Sequence, residues 1–152
     1  MASDPPASDT REQILDAAEA VVVREACASF DNAVADAAKD DPEPKRRFTR
    51  SYIRASLGMT TLTGAGFDSL CASITTALLS FPERLKPVVA QGNRTQLDIE
   101  GDGFDPVLAT IIRLAVDGLW LSENFNLMRF DARLKAAVAQ RLLKWANNGK
   151  CE

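Results

Sequence analysis

Residues 105–125 read DPVLATIIRLAVDGLWLSENF, and this stretch decides the fold. Asp105 before Pro106 marks a helix start: the carboxylate caps free amides, and a proline in the first turn leaves no N–H unpaired. Val107, Ile111, Leu114, Gly118, Leu121 and Phe125 recur at alternating spacings of four and three. Leu108, Ile112, Ala115 and Leu119 repeat that pattern one residue over. At about 100° per residue the two stripes merge into an apolar face covering roughly half the helix. One core contact needs less than that. Such a helix either lies deep in a bundle or serves a core on one side and a partner chain on the other. Arg113, Asp117 and Trp120 form a separate polar and aromatic strip.

Toward the C-terminus, residues 126–130 turn the chain and Asp131 caps a last helix reaching Asn147, with Gly149 as its stop. Leu134, Val138, Leu142 and Trp145 make its apolar stripe. Toward the N-terminus, Glu100-Gly101-Asp102-Gly103 separates the central helix from one opened by Pro82 and running from Glu83 to about Leu97. That helix carries Leu85, Val88 and Val89, and Gly92 weakens its middle. Asp68 caps a helix over 69–81, with Leu70, Ile74, Ala77 and Leu78 inward, after a Thr- and Gly-rich loop over 60–66. A short helix from about Arg46 to Leu57 has Phe48, Tyr52, Ala55 and Met59 on one side, and Arg50 and Arg54 on another.

Asp40-Asp41-Pro42-Glu43-Pro44 reads as an exposed charged linker. Before it, residues 11–41 hold neither glycine nor proline. Leu15, Ala18, Val22, Ala26, Phe30, Ala33 and Ala37 keep one helical stripe through that stretch. It predicts a single helix of about 30 residues, roughly 45 Å long. Thr10-Arg11-Glu12-Gln13 is a capping box at its start, behind a floppy tail over 1–9. No segment alternates with period two, so the fold is all-α: a helical bundle preceded by one long N-terminal helix.

With 152 residues, 46% apolar and 26% charged, the chain fits one ordinary globular domain. A net charge of −3, with Lys45-Arg46-Arg47 as its basic block, advertises no nucleic-acid surface. The start MASDPPASD lacks the charged and apolar regions of a signal peptide, and no apolar run has the length of a membrane span. Cys27, Cys71 and Cys151 share no metal-ligand spacing, so free thiols in a reducing, cytoplasmic setting are expected. There is no histidine. That removes Ser-His-Asp and Cys-His nucleophiles and most zinc sites at once. Asp40, Asp41 and Glu43 are interrupted by prolines and lack calcium-loop spacing. We expect no enzyme, metal or cofactor.

The opening TREQILDAAE, Thr10–Glu19, resembles the first helix of TetR-family transcriptional regulators. RLAVDGLWL, Arg113–Leu121, and the segment Asp131–Trp145 resemble the last two helices of that family's regulatory domain. The resemblance implies an all-α, usually dimeric protein. An N-terminal three-helix domain reads DNA by helix-turn-helix, and a larger C-terminal domain binds a small molecule. The last two helices of each subunit build the dimer's four-helix bundle. The departure is as informative. Where the family places its helix-turn-helix, with a Lys-Gly-x-x-Tyr-like recognition helix and a following His-Phe, Arg24-Glu25 here runs almost at once into Ala28–Ala33. That segment resembles the helix after the recognition helix, so a few dozen residues are absent and none reads bases.

The division that follows is a tail over 1–9, a long helix over 10–41 as a remnant of the DNA-binding domain fused to the connecting helix, and a ligand-binding and dimerisation domain over 46–152. The expected homodimer interface comprises Val107, Ile111, Leu114, Gly118, Leu121, Phe125, Leu134, Val138, Leu142 and Trp145. The expected pocket for a small hydrophobic effector comprises Tyr52, Phe67, Leu70, Ile74, Arg113, Asp117 and Trp120. The function expected is an effector-binding and dimerisation module without DNA readout of its own. The alternative is a working repressor that contacts DNA through remaining basic residues or a heterodimer partner.

Overall fold

Helical spacing dominates the sequence, and every described element is a helix. The computed structural model describes residues 7–58 and 86–151. They form α1 (Ala7–Lys39), α2 (Arg47–Ser56), α3 (Lys86–Gly101), α4 (Pro106–Asn124) and α5 (Ala132–Asn148). The helix expected over 69–81, the loop over 60–66, Met59 and Cys71 lie outside the described residues.

Local signals set the ends of α4 and α5. Asp105 accepts from the Leu108 amide at 3.1 Å and Asp131 from the Leu134 amide at 2.8 Å. Gly149 closes α5 in the left-handed region at φ 73°. There a side chain would be strained, and its Cβ would collide with the Arg46 guanidinium. Two boundaries differ from the sequence reading. α1 begins at Ala7, so Thr10 sits within the helix and is not its cap; Ala7 follows Pro5-Pro6, and proline is better at starting a helix than continuing one. α3 continues through Gly101, and the turn falls at Asp102–Gly103, where Gly103 takes φ 85°.

The organising element in space is α2, not α4. This ten-residue helix touches each of the other four described helices. Thr49, Arg50, Ser51, Tyr52, Ile53 and Ala55 are all buried. Ile53 meets Ile99, Ile112, Val116, Leu142 and Ala146 in one continuous core, while Ala55 meets Ala33 and Val34 of α1 in a second. Arg46 precedes α2 with φ 62° and offers no side-chain cap. Asp102, from the turn after α3, caps instead: its Oδ2 accepts from the Thr49 amide at 2.7 Å and the Thr49 hydroxyl at 2.8 Å.

The charged linker is not uniformly exposed. Asp41 is buried and accepts from Arg50 Nε at 2.6 Å, Arg50 Nη2 at 2.7 Å and Arg54 Nη1 at 2.7 Å. Arg50 also donates to the carbonyls of Lys45 at 2.9 Å and Glu43 at 2.6 Å. This pairing lets a guanidinium and a carboxylate be enclosed together where α1 turns into α2. Arg46 is likewise held, donating to the Asn147 carbonyl at 2.8 Å and lying 5.1 Å over the Phe104 ring. A cation at the C-terminal end of α5 suits the helix dipole.

Candidate functional site

The central helix α4 carries two apolar stripes, and the packing separates them. Leu108, Ile112 and Leu119 are buried with Ala109 and Val116 in the core. Val107 and Leu114 are each 65% exposed, and Ile111, Leu121 and Gly118 are exposed beside them. Phe125 is half-buried at the helix end. The two sets point to roughly opposite sides of the helix, since buried and exposed residues alternate with the helical repeat. Among the described residues nothing lies within 4 Å of a Cβ built on Gly118, so the middle of the outer stripe is open there.

On α5, Leu134 is exposed, and Val138 and Trp145 are half-buried. Leu142 is placed differently. At 2% exposure it belongs to the core beside Ala139 and Ala146, where α5 packs on α2. A stripe at spacings of four and three drifts around the helix, and Leu142 is the member that falls on the inner side.

The polar strip of α4 meets α2 and α3. The Tyr52 hydroxyl donates to Asp117 Oδ1 at 2.6 Å, and Arg113 Nε donates to Asp117 Oδ2 at 3.3 Å. Arg113 Nη1 also donates to the Gly92 carbonyl. Gly92 leaves the room this requires: a Cβ there would stand 2.7 Å from Arg113 Nη2. The glycine read as a weak point is thus a docking position. Its sequence signal was the missing side chain opposite a long cation, which reads identically to a helix flaw. Burial, then the charge and hydrogen bond of Asp117, push the Tyr52 phenol far above its usual value, and Arg113 opposes them. Tyr52 is therefore a neutral donor. On its other side, Phe30 of α1 meets the Tyr52 ring edge-on at 6.1 Å. Three helices thereby meet at one tyrosine, and the Arg113–Gly92 bond ties α3 to the same network.

Tyr52, Arg113 and Asp117 are joined as a network, and Trp120 is half-buried one turn further along α4. Phe67, Leu70 and Ile74 lie outside the described residues. Val88, one of the apolar residues read on α3, is 41% exposed. Among the described residues no three His, Cys, Asp or Glu side chains gather as a metal-binding group, and no helix is long and apolar enough to cross a membrane.

A family model described as the tetracyclin repressor-like C-terminal domain matches residues 46–147. No curated protein and no solved structure matches the chain. The matched span opens at Arg46, just before α2, and ends within the last turn of α5.

Proposed function

The chain belongs to the tetracyclin repressor-like regulators through its C-terminal domain, and from that premise we propose that it acts as a dimeric effector-binding module without base readout of its own. The observation that carries this reading is the two-sided α4. One stripe completes the subunit's own core, and the other offers Val107, Ile111, Leu114 and Leu121 to a partner. Exposed apolar rows of this kind mark interaction surfaces, and a second copy supplies a self-complementary one. Open space at Gly118 admits close approach of the facing helix. Effector binding is assigned to the region around Tyr52, Arg113, Asp117 and Trp120, where a few polar groups meet an apolar surround.

The unbroken α1 supports the second half of the reading. It runs from Ala7 to Lys39 as one helix and then passes into the matched domain through a buried Asp41–Arg50 pair. A base-reading unit needs a short second helix free to enter the major groove, and α1 continues where one would stand. The N-terminal helix is best understood as a fusion of the first helix with the connecting helix.

Light scattering on the eluting protein tests the dimer: wild type should run at twice the chain mass, and Gly118→Arg should be monomeric or insoluble because it buries an unpaired charge. A soluble Gly118→Arg dimer of wild-type stability would move the interface elsewhere. A mobility shift at physiological salt that depends on base sequence would favour the repressor alternative. For the effector, a thermal-shift screen of hydrophobic compounds should yield hits that Trp120→Ala removes. A ligand at a hundred times its dissociation constant adds about 2.7 kcal/mol, enough to see.

A further inference from the structure

A groove of about 350 Å³ opens between α1, the start of α2 and α3. That volume lies in the range of small-molecule sites. None of the residues assigned to the effector region lines it. Its floor is apolar and aromatic, with Phe30 and Val34 from α1 and Phe48 from α2. Its walls carry charge: Asp31 on the α1 side, Arg94 and Asp98 on the α3 side. Gln91 Nε2 donates to Asp31 Oδ1 at 2.6 Å and fixes that carboxylate at the rim. Arg94 Nη2 in turn donates to Gln91 Oε1. Asp98 is exposed, and its carboxylate makes no hydrogen bond or ion pair among the described residues. Two carboxylates against one guanidinium leave the walls with an excess negative charge above two phenylalanines.

We propose that this groove is a second ligand site, selective for an amphiphilic organic cation. Its apolar body would rest on Phe30 and Phe48, with its charge between Asp31 and Asp98. An anion of the same shape faces two carboxylates, and a metal ion gains nothing from the floor. A cation gains from both, because its apolar body is taken out of water against the two phenyl rings while the net negative walls attract its charge. Since the walls belong to α1 and α3, an occupant ties the N-terminal helix to the matched domain.

Tetraphenylphosphonium and tetraphenylborate nearly share size and apolar surface and differ in sign, so calorimetric titration of the full chain with each isolates charge. The phosphonium should bind and the borate should bind at least about tenfold more weakly, a difference of about 1.4 kcal/mol. Asp98→Asn, at an exposed side chain without a partner among the described residues, should weaken phosphonium binding about two- to fivefold, and Arg94→Gln should strengthen it by a similar factor. Trp120→Ala should leave it unchanged, which separates this groove from the effector region. Circular dichroism identical to wild type certifies each variant. Equal binding of both ions, no phosphonium binding at all, or indifference to both charge substitutions overturns the proposal.

Discussion

Asp41 shows how much one carboxylate can carry. Besides both arginines it accepts from the Glu43 amide at 3.1 Å, and the Arg50 and Arg54 contacts, against a burial cost, hold its carboxyl well below the usual range. A carboxylate depressed in the folded state adds stability above its unfolded value, about 3.9, and loses it as pH falls toward the folded one. Asp41→Asn should cost about 3–5 kcal/mol, because a buried guanidinium keeps its charge without its partner. It should also flatten the fall in stability below about pH 4. Urea unfolding across acidic pH measures both effects, and an unchanged acid limb would remove Asp41 from the account. Tyr52 gives a second residue-level expectation, since it is the single tyrosine of the chain. Its phenol is pushed up, so its stabilising contribution is complete below the unfolded value of about 10 and fades above it. Tyrosinate absorbance should therefore appear only as the chain unfolds in alkali. Ionisation near pH 10 with intact circular dichroism would contradict the buried Tyr52–Asp117 bond.

Among the elements, α2 depends on a cap supplied from the turn after α3. Asp102 satisfies both the amide and the hydroxyl of Thr49. Asp102→Ala should cost about 1–2 kcal/mol, at the upper end of cap losses because α2 contacts every other described helix. Asp105→Ala, which removes a cap from α4 alone, should cost about 1 kcal/mol. Denaturant midpoints compare the two, and equal losses would mean that α2 is not the hub described. The long α1 makes its own prediction. With 33 residues it spans about 50 Å as one rod, so backbone chemical shifts should be helical through Cys27 without a break.

For the molecule as a whole, the proposed dimer through the exposed stripe of α4 would link stability to assembly. A protein stabilised by a second copy melts higher as its concentration rises. Leu114→Glu should abolish that dependence and yield monomer. Leu114 is 65% exposed within the subunit, so the change costs the single chain little and reports on the interface. A melting temperature independent of concentration in the wild type would place the stripe in contact with something other than a second copy. The same scale limits what the polar network does alone. Arg113, Asp117 and Tyr52 hold α2, α3 and α4 in register, so Tyr52→Phe should cost about 1 kcal/mol even without ligand, by leaving part-exposed Asp117 short of a donor.

The presence of the five described helices, though not the start of α1 or the end of α3, the caps at Asp105 and Asp131, the stop at Gly149 and the double apolar character of α4 were legible in the sequence. Each depends on residues within one or two turns of each other, and the backbone repeat fixes which of them align. The Arg113–Asp117 pair was legible for the same reason. The tertiary structure alone decided which stripe of α4 is buried, because two apolar faces of equal quality look alike until one has a neighbour. It alone buried Asp41, whose sequence surroundings of charge and proline suggest solvent, and it alone made α2 central. The sequence sets the arginines of α2 on a different side from its apolar residues and names no partner for them, yet Arg50 meets Asp41 and the linker carbonyls, while Thr49 meets Asp102 from 53 residues away. A charge enters the interior only when its partner arrives, and that arrival is set by the fold rather than by neighbours in the chain.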